Sequence, residues 1–225
     1  MDEDGRENTI YLVVATDKSG KPSISKETAK EIEDKANEYL KHLGVNTRVA
    51  LYLKSPDEFD PAKMDQTDVL AVVGNTKADV TRFFEKEPND DNHELAAKAW
   101  EGSAKNPERS QGAFDIKRNK FVMVSYSDVR TDLATSNEIE GTALAIVHGA
   151  GHTAAIGSGE LHRDGKAPGL GFMNSGTNLN NQLRENSGNP KFLFAPNQFG
   201  MLKIKNAWKE KFYPNNEKHE PKLNE

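Results

Sequence analysis

Residues 10–15, IYLVVA, form an uninterrupted apolar run that ends at the turn-forming sequence DKSGKP. Such a run, closed by a turn, is typical of a buried β-strand. Apolar residues then recur at helical spacing between Ser25 and Gly44, and they alternate in TRVALYL, residues 47–53. Ser25 suits the N-cap of this helix, and Gly44 suits the position just past its end. This strand–helix–strand unit predicts a right-handed crossover and a partly parallel sheet.

The same signals predict further elements along the chain. VLAVV, residues 69–73, predicts a third strand, and AFDIKRNKFVMVSY predicts a hairpin that turns at Arg118-Asn119. Two short helices are expected around VTRFFEKE and HELAAKAWEG, and a longer helix is expected from about Ser136, with Thr135 and Glu138 as a capping box. The Gly- and Asn-rich stretch after this helix, as far as Asn189, is expected to be largely loop.

The chain is expected to fold as one domain, residues 1–225. Its ordered core is predicted over about residues 9–213, with a charged tail over residues 214–225. The last helix of the core is predicted near residues 197–212, with Phe199, Leu202 and Trp208 on its buried side.

Composition excludes several classes of function. The net charge is −5, and the basic residues are interspersed with Asp and Glu, so we expect no nucleic-acid partner. The chain has no cysteine, which excludes disulfides and thiolate metal ligands. No apolar run is long enough to span a bilayer, and the acidic start MDEDGREN is unlike a secretory signal. We therefore expect a soluble chain without a signal peptide.

The segment AIVHGAGHTAAIGSGELH, residues 145–162, holds three of the six histidines of the chain. His148 and His152 stand four apart, so on a helix they project from one face and can bind one metal ion through ring nitrogens. Glycines that follow can end the helix, because glycine adopts the left-handed conformation freely, and the chain can then bring His162 back as a third ligand. Three other residues are alternative third ligands: Glu160, Asp164 and Glu185. The sequence therefore predicts a metal site.

The stretch HGAGHTAAIGSGELHRDG, residues 148–165, resembles the zinc-binding signature of the metzincin peptidases, H-E-x-x-H-x-x-G-x-x-H. GFMN places Met173 where that family has a methionine turn beneath the zinc, and the predicted order of elements is also similar. The resemblance implies an α/β (α+β) metzincin-like zincin fold. Its features would be a twisted mixed sheet with an edge hairpin, a zinc-binding helix, a Met-turn and a C-terminal helix.

The resemblance also implies site residues and a substrate. One Zn²⁺ would be held by His148, His152 and His162, with Met173 beneath it. Asp164 is a candidate to hydrogen-bond a ligand imidazole, and it fits equally well as a turn residue before Gly165. A protein or peptide substrate would be cleaved by this zinc-dependent endopeptidase. The substrate would lie in extended form along the edge strand, through these residues: Gly112, Ala113, Phe114 and Asp115.

The chain departs from the family pattern at three points. The interval from His152 to His162 is ten residues, longer than in the signature, and Ser175 replaces a tyrosine found after the turn methionine in some subfamilies. Gly149 replaces the glutamate that acts as general base. General acid–base catalysis contributes typically about 10²–10⁴-fold, so we expect this chain to be nearly or wholly inactive. Glycine costs roughly 1 kcal/mol in a helix interior relative to alanine, and the sequence suggests no structural gain that offsets it.

Two interpretations of Gly149 remain open: a substitution that silences a parent enzyme, and a natural pseudoenzyme. The silenced base, the compact domain and the acidic start favour a bacterial toxin-like effector peptidase, secreted or delivered as part of a larger protein, with an inhibitor or immunity protein as partner. Two alternatives come from other classes. One is a zinc hydrolase of a non-peptide amide, and the other is a non-catalytic zinc-stabilised binding module.

Overall fold

The computed structural model describes residues 8–60, 63–64, 67–85, 111–116, 119–153, 171–174, 176–195 and 201–212. The described strands are β1 (Asn8–Val14), β2 (Thr47–Leu51), β3 (Val69–Gly74), β4 (Gln111–Ile116) and β5 (Asn119–Ser125). The described α-helices are α1 (Lys26–Leu43), α2 (Lys77–Glu85), α3 (Val129–Asp132), α4 (Glu138–Thr153), α5 (Gly176–Glu185) and α6 (Met201–Phe212). Short 3₁₀ segments lie at Pro56–Glu58, Tyr126–Asp128, Gly171–Met173 and Pro190–Phe194.

Four strands form the all-parallel body of the sheet. They pair in the order β2-β1-β3-β5, and β4 runs antiparallel to β5 at the outer edge. Every residue of β3 is buried. This is expected of a parallel strand, because the connections between parallel strands place helices on the faces of the sheet and cover both sides.

Helices lie on both faces of this sheet. On one face, α1 and α4 pack against each other and against the strands, and α6 adds Ile204 and Trp208 to the same apolar core. On the other face, α2 contributes Val80 and Phe84 to a smaller core that includes Phe121 of β5. A parallel sheet wound with helices on both faces is a Rossmann-like α/β fold.

The predicted fold class, a metzincin-like twisted mixed sheet, is therefore wrong. The four core strands are all parallel, and among the described strands antiparallel pairing is confined to the β4–β5 hairpin at the edge. The cause is the second helical layer. Because α2 covers the face of β3 opposite to α1 and α4, the sheet is buried on both sides. The expected fold class depended on the histidine motif and on the order of the predicted elements, and neither determines on which face of the sheet α2 packs.

Several single elements agree with their sequence signals. In α1, the Ser25 side chain accepts a hydrogen bond from the Thr28 amide, and Gly44 is the left-handed C-cap, as predicted. At the start of α4 the predicted capping box is wrong. The side chain of Asn137 caps the Glu140 amide, and the Thr135 hydroxyl instead donates to the Asn137 carbonyl. The second of the two short predicted helices, HELAAKAWEG, lies outside the described residues.

The segment before the last helix is more regular than predicted. A loop was expected as far as Asn189, but residues 176–185 form α5, whose buried side includes Leu179 and Leu183. In α6, Trp208 is buried as expected, whereas Leu202 is 72% exposed and does not belong to the core. Among the described residues, none of the helices has both the length and the apolar character needed to cross a bilayer.

Polar contacts fix the first turn of α4 to α1. The Tyr39 hydroxyl donates to the Glu140 carboxylate, and Lys35 Nζ lies 3.3 Å from the other Glu140 oxygen. Hydrogen bonding to Glu38, opposed by partial burial, raises the pKa of Lys35. Because Tyr39 is buried and Glu140 is half-buried, this contact fixes the position of the N-terminal end of α4 relative to α1.

We expect Trp208→Ala to reduce the free energy of unfolding by about 3–5 kcal/mol, because it removes a fully buried ring. The change also deletes the 2.8 Å hydrogen bond from the indole Nε1–H to Thr47 Oγ1. Leu202→Ala in the same helix should change stability by less than about 0.5 kcal/mol, since that side chain is exposed. Urea unfolding followed by circular dichroism measures both, and equal losses would contradict this packing.

Candidate metal centre

The two predicted helical ligands lie together at the C-terminal end of α4. His148 is buried, with 6% of its surface exposed, and His152 is half-buried. Their Nε2 atoms are 3.1 Å apart, and the two rings are nearly perpendicular at 75°. A zinc ion at about 2.0–2.1 Å from both nitrogens would make an N–Zn–N angle of about 98°, near the tetrahedral value. The pair therefore fits two corners of a tetrahedral zinc site.

The tautomer of His148 is set by the backbone. His148 Nδ1 lies 2.8 Å from the carbonyl oxygen of Phe172. Because a carbonyl oxygen only accepts hydrogen bonds, Nδ1 must carry the hydrogen and donate it. In the neutral ring, Nε2 then carries a lone pair directed toward His152 Nε2, 3.1 Å away, where it can accept a hydrogen bond or bind a metal ion. Metal-binding histidines in proteins usually have this arrangement, in which an acceptor beyond the ring fixes the ligand nitrogen.

The Phe172 carbonyl is held in place by an aromatic stack that sequence reasoning missed. The Phe172 ring stacks on Phe194 with centroids 4.6 Å apart, and Phe194 stacks on Tyr39 of α1 with centroids 4.8 Å apart. All three side chains are almost completely buried. The neighbouring Asn174 donates from its amide to the Gln182 side chain on α5. The only available signal was the position of Phe172 beside the predicted methionine turn.

Met173 lies directly against α4, between the levels of the two histidines. Its side chain is fully buried, and a Cβ at Gly151 would lie 2.4 Å from Met173 Sδ. Met173 therefore packs against the helical turn that carries His152. Its relation to a bound metal remains a prediction.

Gly149 faces the sheet, in contact with β5. A Cβ at this position would lie 2.6 Å from Cγ1 and 3.0 Å from Cγ2 of Val122. Carbon atoms pack at about 3.5–4.0 Å, so only glycine allows the helix to approach this strand so closely. The expectation that no structural gain offsets glycine here is therefore wrong. A glutamate at this position would require α4 or Val122 to move.

The third ligand is not determined by the described residues. His162 and its alternatives Glu160 and Asp164 lie outside the described residues. Glu185 is exposed at the end of α5, and within the described part of the chain no third His, Asp or Glu joins the histidine pair as a cluster. The predicted substrate strand is β4, which lies at the edge of the sheet and packs beside α4. These are its predicted substrate-binding residues: Gly112, Ala113, Phe114 and Asp115.

Comparisons of the chain with protein-family models, with curated proteins and with solved structures found no match. The described residues define an α/β domain in which two histidines lie close together at the end of a buried helix. A Rossmann-like sheet alone indicates no function, because that fold hosts many unrelated activities.

We expect Met173→Ala to reduce the free energy of unfolding by about 2–5 kcal/mol, because a buried side chain is replaced by a cavity. Met173→Leu should cost less than about 1.5 kcal/mol, since it conserves volume. Urea unfolding in the presence of a chelator measures the packing contribution apart from any metal. If the alanine variant were as stable as the leucine variant, the close contact between Met173 and Gly151 would be in doubt.

Proposed function

We propose that this protein binds one zinc ion through His148 and His152. We further propose that it belongs to the functional class of zinc-dependent endopeptidases. In this chain the helix-borne general base is absent. The observation that carries the proposal is the convergence of the two Nε2 atoms at 3.1 Å, with the tautomer of His148 fixed by the Phe172 carbonyl. His162 is the proposed third ligand. The proposal depends on this histidine geometry and on the sequence motif, and it does not depend on the fold class.

The chemistry open to the site follows from its side chains. When bound, a zinc ion would supply Lewis-acid polarisation of a substrate carbonyl. Gly149 has no side chain that could accept or deliver a proton, so the chain as written should bind zinc and hydrolyse peptides slowly or not at all.

A non-catalytic zinc-stabilised binding module is the second candidate. The observation that favours it is the close contact of Gly149 with Val122. This contact supports the idea that glycine is integrated into the packing at this position and did not simply replace a catalytic residue. A pseudoenzyme with a retained metal site would need no base.

We expect the purified protein to contain about one zinc ion per chain and to lose it when either helical histidine is changed. His148→Ala and His152→Ala should abolish stoichiometric binding, measured by elemental analysis and calorimetric titration. Zinc binding should raise the melting temperature, because a ligand that binds only the folded state at about 100 times its Kd contributes about 2.7 kcal/mol. His42→Ala is the matched control, because His42 is a partly exposed histidine on α1.

Retention of zinc by both alanine variants would overturn the proposed site. The third ligand is identified with the same assay applied to alanine variants of the four alternatives, which are His162, Glu160, Asp164 and Glu185.

Hydrolysis should appear when glutamate is restored at position 149 in a background that relieves the contact of its Cβ with Val122. We compare Gly149→Glu/Val122→Ala with Val122→Ala, because truncation of Val122 leaves its Cβ as the nearest atom, at 3.4 Å. If the endopeptidase proposal is correct, zinc-dependent cleavage of casein should rise by about 10²–10⁴-fold, the usual contribution of a general base. Addition of His152→Ala to the double variant should remove this gain.

Two further outcomes separate the candidates. Cleavage of an acetylated sugar but not of casein would favour a zinc hydrolase of a non-peptide amide. A folded, zinc-loaded double variant that cleaves neither substrate would favour the binding module.

A further inference from the structure

We propose that Gly149 is a positioning residue, which sets the depth of α4 against β5 and thereby aligns His148 with the Phe172 carbonyl. This inference rests on the proposed zinc site and assigns a role to a residue that contributes no ligand and no side chain. It follows from the contacts on the two sides of the helical segment that carries the histidines.

On the sheet side, the contact at Gly149 leaves no room for an additional atom. Val122 is fully buried in the middle of β5, and its side chain is short and branched, so it cannot swing away as a long side chain would. A Cβ at Gly149 would need a displacement of about 1 Å to reach an ordinary carbon–carbon separation. Because Val122 is held by the sheet, α4 would have to make most of this movement.

On the opposite side, α4 is limited by the segment that carries Phe172 and Met173. A Cβ at Gly151 would lie 2.4 Å from Met173 Sδ and 3.5 Å from the Phe172 ring. That segment is itself anchored, since Phe172 stacks on Phe194. The two glycines therefore let the helix fit between two fixed surfaces with little freedom on either side.

The consequence for the histidines concerns their partners on other segments. His148 and His152 belong to one helix, so their mutual distance would survive a small rigid shift of α4. A shift of about 1 Å away from β5 would move α4 toward the segment that carries Phe172, so the 2.8 Å hydrogen bond from His148 Nδ1 to the Phe172 oxygen would be compressed or bent out of its geometry. A ligand contributed by another segment would be misaligned in the same way.

The test is a double-mutant cycle between Gly149 and Val122, with zinc affinity measured by chelator competition. Gly149→Ala should weaken zinc binding by about 10–100-fold, the usual effect of disturbing groups that orient metal ligands. In the Val122→Ala background the same change should have little effect, because both interfering γ-carbons are gone. The visible absorption of the cobalt-substituted protein should change with Gly149→Ala and return in the double variant, which a purely structural role would not produce.

Alanine substitutions at two other glycines of α4, Gly141 and Gly151, provide controls. Gly141→Ala also introduces a close contact, with Thr135 Oγ1 at 2.8 Å, but it lies two turns before His148. This variant should lose stability while its zinc affinity and cobalt spectrum stay unchanged. Gly151→Ala should weaken zinc binding through Met173, and Val122→Ala should not rescue it.

The outcomes separate this inference from the proposed function. If the wild-type protein binds no zinc, both are overturned. If the wild type binds zinc and Gly149→Ala binds it equally well with the same cobalt spectrum, the metal site stands and the positioning role is overturned. Should Gly149→Ala fail to fold, the zinc affinity of the double variant Gly149→Ala/Val122→Ala is compared with that of Val122→Ala. Zinc affinity equal to that of Val122→Ala supports the role, and lost affinity overturns it.

Discussion

The buried contact between α4 and the parallel sheet is the constraint on which the candidate site depends. At Gly149 the helix backbone approaches Val122 more closely than any side chain would allow, and at Gly151 it approaches Met173 in the same way. Each glycine costs roughly 1 kcal/mol of helix stability relative to alanine. In return, α4 fits between β5 and the Phe172–Met173 segment, and its histidines occupy one defined position.

Side-chain contacts across the larger core, which lies between the sheet and helices α1 and α4, hold the histidines in this position. The Phe172 carbonyl accepts the hydrogen bond from His148, the Phe172 ring stacks on Phe194, and Phe194 stacks on Tyr39 of α1. Tyr39 also donates to Glu140 at the start of α4. The helix that carries the histidines is thus connected to α1 both through its own first turn and through Phe172, which accepts the hydrogen bond from His148.

The packing of Gly149 against the sheet changes how the sequence motif is interpreted. From the motif alone, glycine is a missing glutamate, and the chain is a peptidase without its base. In the folded chain, glycine is also the residue that permits the helix to contact the sheet, so the position that the motif assigns to a catalytic glutamate is a packing requirement. The metal site and the hydrolytic activity are therefore separate questions, and the first can hold without the second.

The sequence by itself determined the elements whose signals are local. These include the apolar strands, the helix between Ser25 and Gly44, and the spacing that puts His148 and His152 on one helical face. Tertiary structure alone decided the second helical layer, which makes the sheet Rossmann-like, and the contacts of Gly149 with Val122 and of His148 with Phe172. Local patterns follow from the periodicity of a helix or strand. These contacts join residues far apart in the chain, and their distances are set by how whole elements pack.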